Sequence, residues 1–222
     1  MVFTVANEKG GSGKTTFALN LAGILSTEYP EILLIDSDPQ QNSNDFASLR
    51  EKRELQNIFT CIAKQGNDFI TTINTMKNKF NHLVIDTQGS DSPTTRTAMG
   101  LADIIIVPVV PSILDFMALD SFLDTCNNCA AINQNQKTFI VMNRLSSNSF
   151  LASKTQEAID FVKKQVEQLN NDRIQAMDTL LYERQTFRNS FLEGKLICEL
   201  QNKDKASTEF YDFYNELKNK IF

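Results

Sequence analysis

The chain has 222 residues, 41% of them hydrophobic, with 22 Lys and Arg against 27 Asp and Glu for a net charge of −5. That apolar content sets it apart from disordered chains, and the acidic balance argues against a generally basic nucleic-acid binder. Four cysteines are too few for a disulfide scaffold at this length and fit a reducing compartment.

The opening "MVFTVANEKG" has no basic region followed by an apolar run, so no signal peptide is expected, and no apolar stretch is long enough to span a bilayer. A cytoplasmic protein is the expectation. "VFTVAN" predicts a strand, and Lys14 to about Ser26 a helix. The strand "EILLIDSD" follows, then the amphipathic helix "DFITTINTMKNKF" and the strand "HLVIDT". "DIIIVPVV" predicts a strand, residues 115–133 a helix, "KTFIVMN" a strand, residues 151–169 a helix and "IQAMDTLL" a last strand. "STEFYDFYNELKNKIF" spaces Phe210, Phe213, Tyr214, Leu217 and Ile221 as one helical stripe. The strands are continuous apolar runs, as expected where helices cover both faces of a parallel sheet. Alternating strands and helices imply right-handed crossovers and a doubly wound α/β fold. With no repeat, no Pro- or Gly-rich linker and no change of composition, residues 1–222 read as one domain.

Between the first strand and helix lies "ANEKGGSGKTTFALN". It ends like a phosphate-binding loop, G-x-x-x-x-G-K-[ST], but Glu8 stands where that pattern has its first glycine, and Lys9 follows. Gly10, Gly11 and Gly13 let backbone N–H groups turn toward phosphate oxygens, and the helix N-terminus adds its dipole. Ser12 and Thr16 belong to the same cradle. Lys14 would reach the β- and γ-phosphates, and the Thr15 hydroxyl would ligate Mg²⁺. Carboxylates for the cation should lie at the carboxyl ends of neighbouring strands. Asp36 and Asp38 end "LLIDSD", and Asp86 ends "HLVID".

These stretches resemble the ParA/MinD ATPases with a deviant Walker A motif. The resemblance is carried by "KGGSGKTT", "DSDPQ", "VIDTQGS" and "IIVPVVPSILDF", and extends through "RQTFRNSFLEG" to the end of the chain, as in small ParF-type plasmid partition proteins. It implies a P-loop NTPase that hydrolyses ATP with Mg²⁺ in a sandwich homodimer. Lys9 would cross the interface to the partner's nucleotide, and Asp38 would orient the attacking water. Asp36 and Asp86 would hold Mg²⁺ through its waters, Asn143 would contact adenine, and Pro108–Asp115 would act as a switch. Gln88 departs from the family's D-x-P form, which leaves the loop after Asp86 harder to foresee. The resemblance further implies a nucleoid-associated protein that binds nonspecific DNA without using the membrane. A centromere-binding ParB- or ParG-type partner would stimulate hydrolysis. A MinD-like membrane-cycling ATPase and a P-loop metabolic ligase or kinase are the alternatives.

Residues 1–136 carry 9 basic and 15 acidic side chains, and residues 137–222 carry 13 and 12, so the DNA that the resemblance implies is expected on the C-terminal third if it binds. Arg184 and Arg188, four apart in "YERQTFRNSFLEGK", are expected on one helical face, with Lys195 nearby. In the final helix Glu209, Asp212 and Glu216 balance Lys218 and Lys220, which favours docking on the protein's own core over anionic lipid. Cys126 and Cys129 read as small buried helix residues rather than metal ligands.

Overall fold

The computed structural model describes residues 1–66, 68–200 and 204–221, with residues 113–115 described by backbone alone. Its elements, in chain order, are β1 (Val2–Val5), α1 (Lys14–Glu28), β2 (Ile32–Asp36), α2 (Asn42–Lys52), β3 (Thr60–Ala63), α3 (Phe69–Met76), β4 (His82–Asp86) and α4 (Pro93–Leu101). They continue with β5 (Ile104–Val109), α5 (Ile113–Ile132), β6 (Lys137–Leu145), α6 (Ala152–Gln168), β7 (Ile174–Tyr182), α7 (Gln185–Leu192) and α8 (Lys205–Ile221). The seven strands form one sheet in the order β3-β2-β4-β1-β5-β6-β7, with every neighbouring pair parallel. The doubly wound α/β expectation is met.

Successive strand residues go to opposite faces. Phe3, Val5, Leu34, Val84, Ile106 and Phe139 join α1 and α8 in one core. On the other face Leu33, Ile35 and Leu83 pack with α3 and α4, while Ile105, Val107 and Ile140 pack with α5 and α6. Because both faces are covered, the strands show no polar alternation. α1 is buried along Phe17–Leu25, so its sequence shows little sidedness.

α2, β3 and α4 lie outside the elements expected from the sequence. α2 buries only Ser43, Phe46 and Arg50, one apolar residue among polar ones, so hydrophobic spacing is silent there. β3 is a four-residue edge strand. α4 does carry a start signal: Ser92 caps it by accepting from Thr95 N–H at 3.1 Å, and Pro93 fills the first turn.

α8 docks on the core. Phe210 and Phe213 are fully buried and stack on Phe17 with ring centroids 5.4 and 5.2 Å away. The helix also closes a sheet edge. Glu216 accepts from the N–H groups of Asp178 and Thr179 at 2.9 and 2.8 Å, and Glu209 accepts from Tyr182 N–H at 3.2 Å. Cys126 and Cys129 are buried in α5, and burial pushes both thiols up.

The buried Arg50 ties α2 to the segment before α8. Its guanidinium donates to both Glu199 oxygens at 2.6 and 2.8 Å, to Gly194 O at 2.7 Å and to Gln56 O. Removing one partner strands a buried charge. Glu199→Ala is therefore expected to lower stability by about 3 kcal/mol, read from the urea midpoint, and Arg50→Met with Glu199→Leu to recover most of it. An unchanged midpoint in Glu199→Ala would show that this pair does not hold α2.

Candidate functional site

At the carboxyl ends of the central strands a cleft of about 740 Å³ runs from Gly10 and Lys14 past Asp38 and Asn143 to Tyr182 and Phe187. This is the size and place expected of a ligand site in an open α/β sheet.

The loop between β1 and α1 forms one end. Gly11 and Gly13 adopt left-handed backbone, φ 79° and 99°. A Cβ at Gly13 would also run into Asn143 Nδ2 at 2.4 Å, so glycine is required there twice over. Asn143 explains the contact: its amide donates to Ser12 O at 2.8 Å and braces the loop from the end of β6. α1 starts at Lys14 with no side-chain cap, leaving its first N–H groups directed at the cleft. Lys14 Nζ donates to Lys9 O at 2.8 Å, and burial depresses its pKa against the attraction of Asp86 and Asp38. A buried ammonium held by neutral oxygens suits an anionic ligand.

Lys9 N–H donates to Asn7 Oδ1 at 2.9 Å, and the Asn7 amide donates to Pro108 O at 2.8 Å. The phosphate-type loop and the Pro108 segment therefore share one side chain. The part of the expected Pro108–Asp115 switch formed by the side chains of residues 113–115 lies outside the described residues. From the other side, the turn after β4 approaches closely: a Cβ at Gly89 would lie 2.8 Å from Gly10 Cα and 3.2 Å from Lys14 Nζ.

Asp36 and Asp86 face each other in register across β2 and β4, both fully buried. Asp36 accepts from the N–H groups of Ser43 and Asn44 at 2.8 and 3.0 Å, at the start of α2. Asp86 Oδ2 accepts from Ser43 Oγ at 2.8 Å, and the Thr15 side chain stands near the same carboxylate. Burial raises Asp36, and raises Asp86 to about 7 against the hydrogen bond from Ser43 and the nearby Thr15 side chain. Asp86 Oδ1 is buried without a hydrogen-bond partner among the described residues. An orphaned carboxylate oxygen beside a threonine hydroxyl fits Mg²⁺ that keeps most of its waters. Thr15 and Asp86 would hold the ion, with Asp36 behind them, and when bound it would neutralise phosphate charge. Asp38 stands at the cleft, its Oδ1 accepting from Gln40 N–H at 2.9 Å.

Gly10, Gly11, Gly13, Lys14, Thr15, Thr16, Asp38 and Asn143 thus meet at one cleft, with Ser12 buried beneath. Ser43, which joins both strand-end carboxylates, was not among the sequence candidates because α2 gave no pattern.

The basic residues assigned to DNA do not form the expected face. Arg184 precedes α7 in extended backbone, φ −123°, so it shares no helical face with Arg188. Its guanidinium lies over the Tyr182 ring and pairs with Glu209 at 2.5 Å, so α8 takes its charge. Arg184 and the exposed Arg188 line the far wall of the cleft, whereas Lys195 pairs with Glu193 at 2.9 Å.

The profile of the CobQ/CobB/MinD/ParA nucleotide binding domain matches residues 3–197. The maintenance of carboxysome distribution protein A of Halothiobacillus neapolitanus is 25% identical over 98% of this chain and 94% of its own. A putative plasmid partition protein of Borrelia burgdorferi, solved with AMPPNP, superposes with a TM-score of 0.76 at 20% identity, covering 99% of each chain. The MinD cell division protein of Aquifex aeolicus gives 0.73 at 17% identity, over 98% of this chain and 97% of that one.

The raised Asp86 pKa fixes a pH signature. Below about 4 this carboxyl is protonated in folded and unfolded chains alike. As pH rises to about 7, ionisation is opposed in the folded state only, so stability is lost across that window. Asp86→Asn should therefore melt higher than wild type by several degrees above pH 7 in nucleotide-free protein, and equally at pH 4. Equal melting at pH 8 would show that the buried carboxylate carries no such penalty.

Proposed function

The chain belongs to the CobQ/CobB/MinD/ParA nucleotide-binding family, and from that premise we propose that it is a Mg²⁺-ATP-dependent dimerising ATPase of ParA type that partitions plasmid or chromosomal DNA. The observation that carries the reading is the meeting of a lysine-bearing deviant loop and Asp38 at one cleft, beside the buried strand-end pair Asp36 and Asp86. Lys14 takes the β,γ-phosphate charge of ATP, and Asp38 orients the attacking water. Lys9 reaches the nucleotide of a second copy across the interface. Asn143, which shapes the loop through Ser12 O, borders the adenine. Nonspecific DNA and a centromere-binding partner act on the ATP-bound dimer. Arg188 and Lys195 are the DNA contacts in this reading; Arg184, held by Glu209, is left out.

A second reading is the positioning of a cellular cargo other than a plasmid. It is favoured by the full-length similarity to a carboxysome distribution protein. Against a membrane cycle of the MinD kind stands α8, whose apolar stripe of Phe210, Phe213 and Leu217 is buried in the chain's own core. Among the described residues no helix is long and apolar enough to cross a membrane.

Lys14→Ala should abolish detectable ATP binding by calorimetry. Asp38→Ala should keep affinity within a few fold while turnover falls about 10²–10³-fold. Normal turnover in Asp38→Ala would remove it from the chemistry.

Lys9→Ala should retain ATP binding but lose dimerisation with a slowly hydrolysed analogue, measured by sedimentation. A mutant that dimerises like wild type would reduce Lys9 to a surface charge. ATP-dependent retention of DNA that falls steeply with salt would favour partition over the second reading.

A further inference from the structure

Arg144 stands apart from the residues used so far. It follows Asn143 on β6, where pairing to β7 is irregular on both sides of Met142. Ile140 and Met142 point into the core against α5 and α6, so regular alternation would send residue 144 there too. Instead Leu145 fills that core, and Arg144 adopts left-handed backbone, φ 55°. The bulge turns Arg144 to the side that Asn143 already faces, so two consecutive side chains line the cleft. A non-glycine residue in this conformation is strained, and such strain gathers at functional sites.

The re-aimed guanidinium joins two segments of the cleft lining. Arg144 Nη1 donates to Gly11 O at 3.1 Å, on the phosphate-type loop. Its Nη2 donates to Glu183 Oε1 at 2.9 Å, just past the end of β7. Both ends are fixed: Glu183 N–H donates to Leu145 O at 2.9 Å, and the next residue, Arg184, is anchored on Glu209. The side chains of Arg144 and Glu183 are 44% and 57% exposed, so the pair is weak and can part without unfolding the domain.

We propose that Arg144 is a strap across the cleft that sets how long a bound nucleotide stays, an inference that rests on the cleft being a nucleotide site. Closed, the Arg144–Glu183 bridge joins the loop around the phosphates to the wall beyond them. Opening it frees the ligand. The strap is a positioning device, and its effect falls on dissociation rather than on encounter.

The test follows release of a fluorescent ADP by stopped flow, with amide exchange of residues 10–13 in nucleotide-free protein. Arg144→Ala should raise the dissociation rate about tenfold with association unchanged within about twofold, and should speed exchange in the loop at an unchanged melting point. Glu183→Gln should act in the same direction. The double variant should be no worse than Arg144→Ala alone, because both changes break one bridge. Arg144→Lys should fail to rescue, since an ammonium lacks the planar fork that serves both acceptors. If wild type binds the fluorescent ADP but Arg144→Ala alters neither release nor loop exchange, or if the two single effects add, the strap is wrong and the nucleotide site stands. If wild type binds no adenine nucleotide, the reading of the cleft falls and the strap falls with it.

Discussion

The molecule is organised around two carboxylates held side by side in the interior. Asp36 and Asp86 lie in register on adjacent parallel strands, fully buried. Like charges at that spacing repel, and burial penalises each one's ionised form. The chain answers with the amino end of α2: backbone N–H groups settle on Asp36, and Ser43 supplies both an N–H to Asp36 and a hydroxyl to Asp86. α2 is thereby placed by polar contacts at its start and by Arg50 near its end, with one aromatic, Phe46, between them. The residual imbalance is concentrated in Asp86 Oδ1, the atom a cation would satisfy. A protein that only had to be stable would not keep such an atom.

The loops above this floor are linked to one another. Asn7 holds Lys9 and the end of β5, Thr87 donates its hydroxyl to Val5 O, and Gly89 lies against Gly10. A change at the phosphates would therefore reach the β4 and β5 turns through hydrogen bonds and close backbone packing. This is the contiguous physical linkage that a nucleotide-dependent switch needs.

The sequence makes much of this legible, for identifiable reasons. The core strands are apolar runs, and the loop carries its own chemistry, so the sheet and the phosphate end of the cleft can be read directly. The far end cannot. Whether Arg184 belongs to a helix face or to a turn depends on where α7 begins, and whether its charge is free depends on Glu209, a residue 25 positions away. Arg144 was hidden similarly, because a strand bulge changes the parity of side chains without changing composition. Ser43 sits in a helix whose buried stripe is mostly polar. What stayed illegible was decided by pairing between distant segments.

The covering of β7 by α8 has a consequence for self-association. Parallel sheets end in strands whose free backbone groups invite another strand to join. Here the N–H groups of Asp178, Thr179 and Tyr182 are occupied by the carboxylates of Glu216 and Glu209. The opposite edge, β3, offers only four residues. Strand addition is thus opposed along the carboxyl half of the long edge, where side chains of α8 already hold the backbone N–H groups.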